Sequence, residues 1–260
     1  MRVSSLERDN VQRDSLRFVS YNIHSCRSAR LEPSLDDVVD VLGDAQPDVV
    51  ALQEVDVNCP RTDQIHQAEE IGRQLQMTPH FFSLVDWTRF QSRHEKQGRY
   101  GLAFLSHKDL RLIDSREFYL PLLSPLSEPR GVFQIQAEWQ GKSISILNTH
   151  LSVHRRENQL QMQALCELIQ QAGTEHEASI LLGDFNTTGR SRAIRRLRTL
   201  MSECIPTGKP RATFPSRFPL LQLDRIFTGG ALEPQPSQVL ASPGARQASD
   251  HFPVQVELKL

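Results

Sequence analysis

The chain predicts two mixed β-sheets packed face to face with helices on the outside. Apolar runs of strand length alternate with stretches of helical periodicity, and the strand-like runs stop again and again at polar or charged residues. No linker, composition shift, solenoid repeat or low-complexity tract divides the 260 residues. One domain over 16–260 is therefore expected, behind a loosely held leader at 1–15 whose charged and polar residues lack the apolar core of an export signal.

Leu16 to Asn22 reads as a buried strand, and Leu35 to Leu42 as a helix with Leu35, Val38, Val39 and Leu42 on one face. After the break at Pro47, Asp48 to Glu54 is an apolar run that ends in a carboxylate. Asp63 to Met77 is helical in period through Ile65, Ala68, Ile71, Gly72 and Leu75. His80 to Asp86, Tyr100 to Ser106, Leu110 to Leu120 and Val132 to Trp139 have the β-branched and aromatic content of strands. Gln140-Gly141-Lys142 marks a tight hairpin into a strand from Ser143 to Leu151. A helix from Arg155 to Gln171 follows, with Leu160, Ala164, Leu165, Leu168 and Ile169 inward, and then the Ala178 to Leu182 strand. A basic helix from Ser191 to Met201 and strands at Leu221 to Phe227 and Pro253 to Leu258 complete the set, with proline-rich Gly229 to Gly244 as a surface loop.

Composition excludes several classes. With 38% hydrophobic residues, no apolar run approaches the roughly 20 residues a bilayer span requires, so no transmembrane segment is expected. The balance of 30 basic against 31 acidic residues supplies no global field toward nucleic acid. Cys26, Cys59, Cys166 and Cys204 have neither CxxC nor zinc-finger spacing, which points to buried thiols in a reducing, cytoplasmic compartment.

The chemistry lies at the strand ends. Gly183-Asp184-Phe185-Asn186 closes an apolar run, and Asp184 and Asn186, two residues apart, fall on one side and can converge on one ion or phosphate. Asn22, Gln53-Glu54, Asn148-Thr149-His150, Asp224-Arg225 and Asp250-His251 occupy equivalent positions. Carboxylate and carboxamide oxygens without cysteine suit Mg²⁺ or Mn²⁺, and histidines beside carboxylates suit proton transfer near neutral pH. Hydrolysis of a phosphoester draws on both.

These clusters make the chain resemble the endonuclease/exonuclease/phosphatase superfamily, the DNase I-like metal-dependent phosphoesterases. The motifs occur in family order from Tyr-Asn22-Ile-His and Leu-Gln-Glu54-Val to Ser-Asp250-His251, and the resemblance covers Leu16 to Leu260. It implies a four-layered α/β/β/α sandwich binding one or two Mg²⁺ or Mn²⁺ ions. Glu54 is then the principal metal ligand, helped by Asn22 or by Asp250 through water. His251, oriented by Asp250, activates the attacking water. Asp184 and Asn186 position the nucleophile and phosphate or complete a second metal site. His150 binds or protonates a phosphate oxygen, held in orientation by Asp224.

Two weaker candidates stay open. Arg130 either aims a guanidinium at phosphate or is an exposed rim arginine. Arg190, Arg192, Arg195, Arg196 and Arg198 either grip a polyanion or form the solvated side of a helix whose inward face is Ile194, Leu197 and Met201. His24 is expected to be a turn residue without a chemical role, and His94 to sit on a rim loop from Gln91 to Arg99. His66, His80, His107, His154 and His176 are expected to be ordinary surface or partly buried residues. The expected activity is metal-dependent hydrolysis of a phosphodiester by a monomer, from a small diester, a phospholipid head group of a peripherally contacted membrane, or nucleic acid. Two alternatives stand beside it: a DNA or RNA nuclease using the Arg190–Arg198 helix, and a catalytically retired binding or scaffold member.

Overall fold

The structure, a computed structural model, describes residues 14–87, 98–172 and 178–259. The expected leader lies outside the described residues except for Asp14 and Ser15, and so do His176 and most of the 91–99 loop with His94.

One sheet contains β1 (Ser15–Asn22), β2 (Val49–Val57), β3 (Thr78–Asp86), β4 (Arg99–Ser106), β11 (Gln238–Val239) and β12 (Val254–Lys259), in the order β11-β12-β1-β2-β4-β3. The other contains β5 (Arg111–Tyr119), β6 (Gly131–Trp139), β7 (Lys142–His150), β8 (Ala178–Asp184), β9 (Ser202–Glu203) and β10 (Asp224–Gly230), in the order β5-β6-β7-β8-β10-β9. Each sheet has one parallel pair among antiparallel neighbours, β1 with β2 and β7 with β8. Parallel neighbours need a long crossover, and α1 (Leu35–Ala45) and α3 (Arg155–Ala172) supply it. The β6–β7 hairpin closes on Gln140 and Gly141, both with positive φ, the conformation that suits the right-handed twist of the paired strands.

The sheets meet over Phe82, Phe104 and Phe133, with Phe104 and Phe133 ring centroids 5.3 Å apart. Outside the first sheet, α1, α2 (Gln67–Leu75) and α5 (Pro243–Ala248) bury Val38, Leu42, Ile71 and Ala248. Outside the second, α3 and α4 (Arg192–Leu197) bury Met162, Leu165, Ile194 and Leu197 over Leu181 and Phe227. The result is a four-layered α/β/β/α sandwich.

A polar clamp interrupts the apolar interface. Gln53 and Glu54 of β2 together face the single residue Leu102 of β4, a β-bulge that breaks the ladder between Leu52 and Val55. Asn148, fully buried on β7 of the opposite sheet, donates from Nδ2 to the carbonyls of Leu52 (2.9 Å) and Ala103 (3.0 Å). Its Oδ1 accepts from Gln53 Nε2 at 2.7 Å. The carbonyls at the bulge are thus satisfied across the sandwich.

Several elements depart from the sequence expectations. The helix expected from Asp63 starts only at Gln67, because Pro60–Thr62 forms a 3₁₀ turn and Asp63 and Gln64 both take positive φ. Leu160 is exposed, whereas Met162 and Cys166 of α3 face inward. The basic helix is shorter than expected, Arg192–Leu197. The strand expected at Leu221–Phe227 is displaced to Asp224–Gly230. The surface loop expected at Gly229–Gly244 contains β11 and the start of α5. There Pro243 occupies the first turn and Ser242 Oγ caps the helix by accepting from Ala245 N, so the proline starts a helix instead of preventing one.

Replacing Asn148 by leucine should keep the volume but strand two buried carbonyls and the Gln53 amide. The expected loss is about 3 kcal/mol of unfolding free energy in a denaturant titration. A loss under about 1 kcal/mol would mean that the clamp is not needed.

Candidate active site

Both parallel pairs end at the same end of the sandwich, where open α/β sheets characteristically present their ligand-binding groups. Asn22 closes β1, Glu54 sits in the β2 bulge, His150 closes β7 and Asp184 closes β8. Register aligns three of the side chains, since His150 pairs with Asp184 across β7–β8 and Asp184 with Asp224 across β8–β10. His251 arrives on the segment before β12. Ser249 fixes that segment by accepting from His251 N (3.1 Å) and donating to the Asn22 carbonyl (2.7 Å).

The backbone is bent to suit. Glu54 has φ of 59° and Asn186 of 47°, and His24, Ser25 and Cys26 follow Asn22 in a left-handed turn with φ between 48° and 54°. Each such residue costs on the order of 1 kcal/mol, and local hydrogen bonds offset the cost. Asn22 Oδ1 accepts from His24 N at 3.0 Å, and Asp184 Oδ1 accepts from Asn186 N at 2.9 Å. Gly183 is needed for a different reason, because a Cβ there would lie 2.1 Å from the Thr149 carbonyl. Only glycine lets β7 and β8 close together just before Asp184.

Asn22 joins the two sheets, donating from Nδ2 to Glu54 Oε1 (3.0 Å) and Asp184 Oδ2 (3.1 Å). Asp184 Oδ2 also lies 3.6 Å from His150 Nε2 and 3.7 Å from His251 Nε2. Burial pushes the Asp184 carboxyl up to about 7, with Asp224 adding to the rise and His251 opposing it. Burial works against charge on His251, but Asp224 and Asp184 outweigh it and push the imidazole up to about 10. His150 is shifted the other way, held well below the ordinary range by burial and by the Arg130 charge. Arg130 can only donate, so the 2.9 Å contact to His150 Nδ1 makes that nitrogen the acceptor. The proton of the neutral ring is then on Nε2, and Asn186 Nδ2, 3.1 Å away, donates instead to the Leu151 carbonyl at 2.9 Å.

Two expected pairings are corrected. Asp224 does not hold His150, and Asp250 does not orient His251, because His251 Nδ1 donates to Asp224 Oδ2 at 2.8 Å. Asp224 opens β10 on the side of Asp184 away from His150, which brings its carboxylate to the His251 segment. Asp250 instead lies with Oδ1 3.8 Å from His24 Nδ1. Arg130 orients His150 and pairs with Glu128 at 2.7 Å. It is buried, not an exposed rim residue.

A cavity of about 210 Å³ opens beside Glu54, whose side chain is 24% exposed. Arg130 and His24 line it, and His24 sits in a turn as expected, with φ of 48°. Arg61, Trp87 and Tyr100 line it too, and nothing in their sequence context marked them. Arg61 is aimed by a two-nitrogen pair with buried Asp56 (both contacts 2.7 Å), its guanidinium 5.5 Å from the Trp87 ring centre.

The donor set fits a hard cation. Burial raises the Glu54 carboxyl, the Asn22 hydrogen bond opposes this, and the Asp250 charge raises it further. Asp224 Oδ1 is buried with no hydrogen-bond partner among the described residues, and Asp184, Asp224 and His251 offer ligand atoms all within 4.8 Å of one another. His251, paired with Asp224 and favoured as a cation, is the poorest of these ligands, whereas the Glu54 carboxylate with the Asn22 carboxamide and the nearby Asp250 charge offers oxygen donors without thiolate, which suit Mg²⁺ or Mn²⁺.

Asp224→Asn should lower the His251 pKa by removing its nearest charge partner, with the imidazole releasing its proton at lower pH in an NMR titration of metal-free protein. Asp250→Asn should shift it less. Equal shifts would reject Asp224 as the partner.

The model of the Endonuclease/Exonuclease/phosphatase family matches residues 19–251. The chain is 28% identical to the uncharacterized protein YbhP of Escherichia coli, over 97% of this chain and 99% of that one. It superposes on an endonuclease/exonuclease/phosphatase from Bacteroides vulgatus with TM-score 0.74 and 19% identity, covering 95% of this chain and 99% of the other. It also superposes on the mannosyl-6-phosphatase of Bacteroides thetaiotaomicron (TM-score 0.72, 18% identity, 94% and 100% covered). The human Nocturnin catalytic domain, with a bound sulfate anion, superposes with TM-score 0.72 at 17% identity, over 94% and 93% of the two chains. Since the family model spans residues 19–251, most of the 260 residues, the chain belongs to the Endonuclease/Exonuclease/phosphatase family, whose members are hydrolases acting on phosphoesters.

Proposed function

We propose that this protein is a divalent-metal-dependent phosphodiesterase in which Asp184 is the base. The observation that carries the reading is the row His150–Asp184–Asp224, aligned by strand register, with Asp184 Oδ2 between the two imidazole Nε2 atoms.

His251, paired with Asp224, stays cationic at neutral pH and offers Nε2–H to negative charge developing on the phosphoryl group. That moves the base role from His251 to Asp184, whose raised carboxyl is suited to accept a proton near neutrality. Neutral His150 donates from Nε2 to a phosphoryl oxygen while Arg130 holds its Nδ1. Asn22 and Asn186 position Asp184 and the phosphate. Water attacks phosphorus and gives its proton to Asp184, the ester bond opposite breaks, and the departing oxygen takes a proton from water in the cavity. Glu54, with Asn22 and Asp250, would hold the Mg²⁺ or Mn²⁺, which when bound neutralises phosphate charge.

Hydrolysis of bis-p-nitrophenyl phosphate should require Mg²⁺ or Mn²⁺, vanish with EDTA and return on adding metal. Glu54→Gln, Asp184→Asn, His150→Ala and His251→Ala should each lower kcat by about 10²–10⁴-fold with circular dichroism unchanged. Near-normal turnover in Asp184→Asn would remove it as the base. Absence of both hydrolysis and calorimetric metal binding would favour a retired scaffold.

A further inference from the structure

Beyond Asn186 lies a second cavity, of about 600 Å³, separate from the one beside Glu54. Arg190, Arg192 and Arg195 line it from the segment after the Gly-Asp-Phe-Asn turn, and Arg155 faces them from α3. The fold therefore brings together arginines that the sequence keeps apart, and it leaves Arg156 and Arg196 off the wall. None of the four wall guanidinium groups makes a hydrogen bond or ion pair with another described residue, whereas that of Arg198 is paired with Glu203. Among the described residues, no carboxylate lines the cavity. The remaining wall includes Asn158, Thr187, Thr188 and Ser191, which are neutral donors and acceptors.

The contrast with the first cavity is chemical. Beside Glu54, arginines alternate with the carboxylates of Glu54 and Glu128 and with the rings of Trp87 and Tyr100. The second cavity carries positive charge without compensation, an arrangement that favours an anion over a cation or a neutral ring. Asn186 borders the second cavity while its Nδ2 lies 3.1 Å from His150 Nε2. The arginine wall therefore adjoins the His150–Asp184 pair through Asn186.

We propose that the cavity formed by Arg155, Arg190, Arg192 and Arg195 is a subsite for a second phosphate group of the substrate, so that the preferred substrate is a phosphodiester carrying a further phosphate beyond the scissile one. The assignment rests on the phosphodiesterase reading above for the position of the scissile phosphate. A nucleotide chain and a phosphorylated polyol head group share this chemistry.

The test compares, within each enzyme, kcat/KM for a diester with and without the extra phosphate. One pair is thymidylyl-thymidine with and without a terminal phosphate, and the other is glycerophosphoinositol with and without a ring phosphate. The wild type should favour the phosphorylated member of at least one pair by about tenfold or more, the worth of a charge-assisted contact. The pair that shows the preference identifies the source. Arg190→Ala/Arg195→Ala and Arg155→Ala should each collapse that ratio, and Arg156→Ala should keep it. A ratio near one in the wild type, or one that survives the substitutions, overturns the subsite.

Calorimetric titration of metal-free protein with inorganic pyrophosphate provides a readout independent of turnover. Affinity should fall about tenfold in the double variant and stay unchanged in Arg156→Ala. If no diester is turned over but pyrophosphate binding depends on these arginines, the subsite stands and the hydrolase reading falls. If diesters are hydrolysed but neither pyrophosphate affinity nor the ratio responds to the substitutions, the subsite alone falls.

Discussion

Two sheets can be stacked on apolar side chains alone, but these two are pinned in register by a buried carboxamide. Asn148 reaches from β7 to two carbonyls of the opposite sheet and to Gln53, where the β2 ladder has been opened by its bulge. The bulge turns Glu54 out of the strand pattern, and the clamp makes that turn affordable by satisfying the carbonyls it leaves behind. Without the bulge Glu54 would continue the alternation of β2. Without the clamp the bulge would bury unpaired polar groups at a cost that apolar packing does not repay. Placement of the carboxylate facing the cavity and cohesion between the sheets are thus parts of one arrangement.

The same logic extends through Asn22 and Ser249. Asn22 holds Glu54 of one sheet to Asp184 of the other, and Ser249 ties the His251 segment to the end of β1. Hydrogen bonds in a dry interface are strong and directional, so the reacting groups are set by donors and acceptors that are themselves immobile. Asp184 shows the result. It lies among an amide donor and two imidazoles shifted in opposite directions, His251 raised chiefly by the Asp224 charge and His150 lowered by burial and Arg130.

Much of this was legible in the sequence, and the parts that were not have identifiable causes. Strands with a continuous apolar run, such as Leu16–Asn22 and Ser143–Leu151, differ from the observed elements by a residue at their ends, because burial on both faces leaves little ambiguity. Position at a strand end marked Asn22, Glu54, His150 and Asp184. Which partner each would take was not marked, since Asp224 and His251 are 27 residues apart and meet only where the start of β10 in one sheet faces the segment before β12 of the other. Adjacency in sequence suggested Asp250 for His251, although consecutive side chains diverge. Helix α5 was missed because Pro243 and Gly244 resemble breakers until Ser242 is seen to cap the turn. Arg61, Trp87 and Tyr100 carry no local signature, and their place beside Glu54 comes from three separate elements.

Glu54 is anchored in one sheet, and His150, Asp184 and Asp224 in the other, so the thickness of the sandwich sets the distance across the candidate site. That thickness is governed by the Phe82, Phe104 and Phe133 rings packed between the layers. Aromatic volume in the interior thus works as a calliper, and adjusting it would retune the jaws without altering any side chain that meets the substrate. In descendants of this fold, drift in interior packing would accordingly offer a route to new substrate dimensions that leaves the strand-end motifs intact.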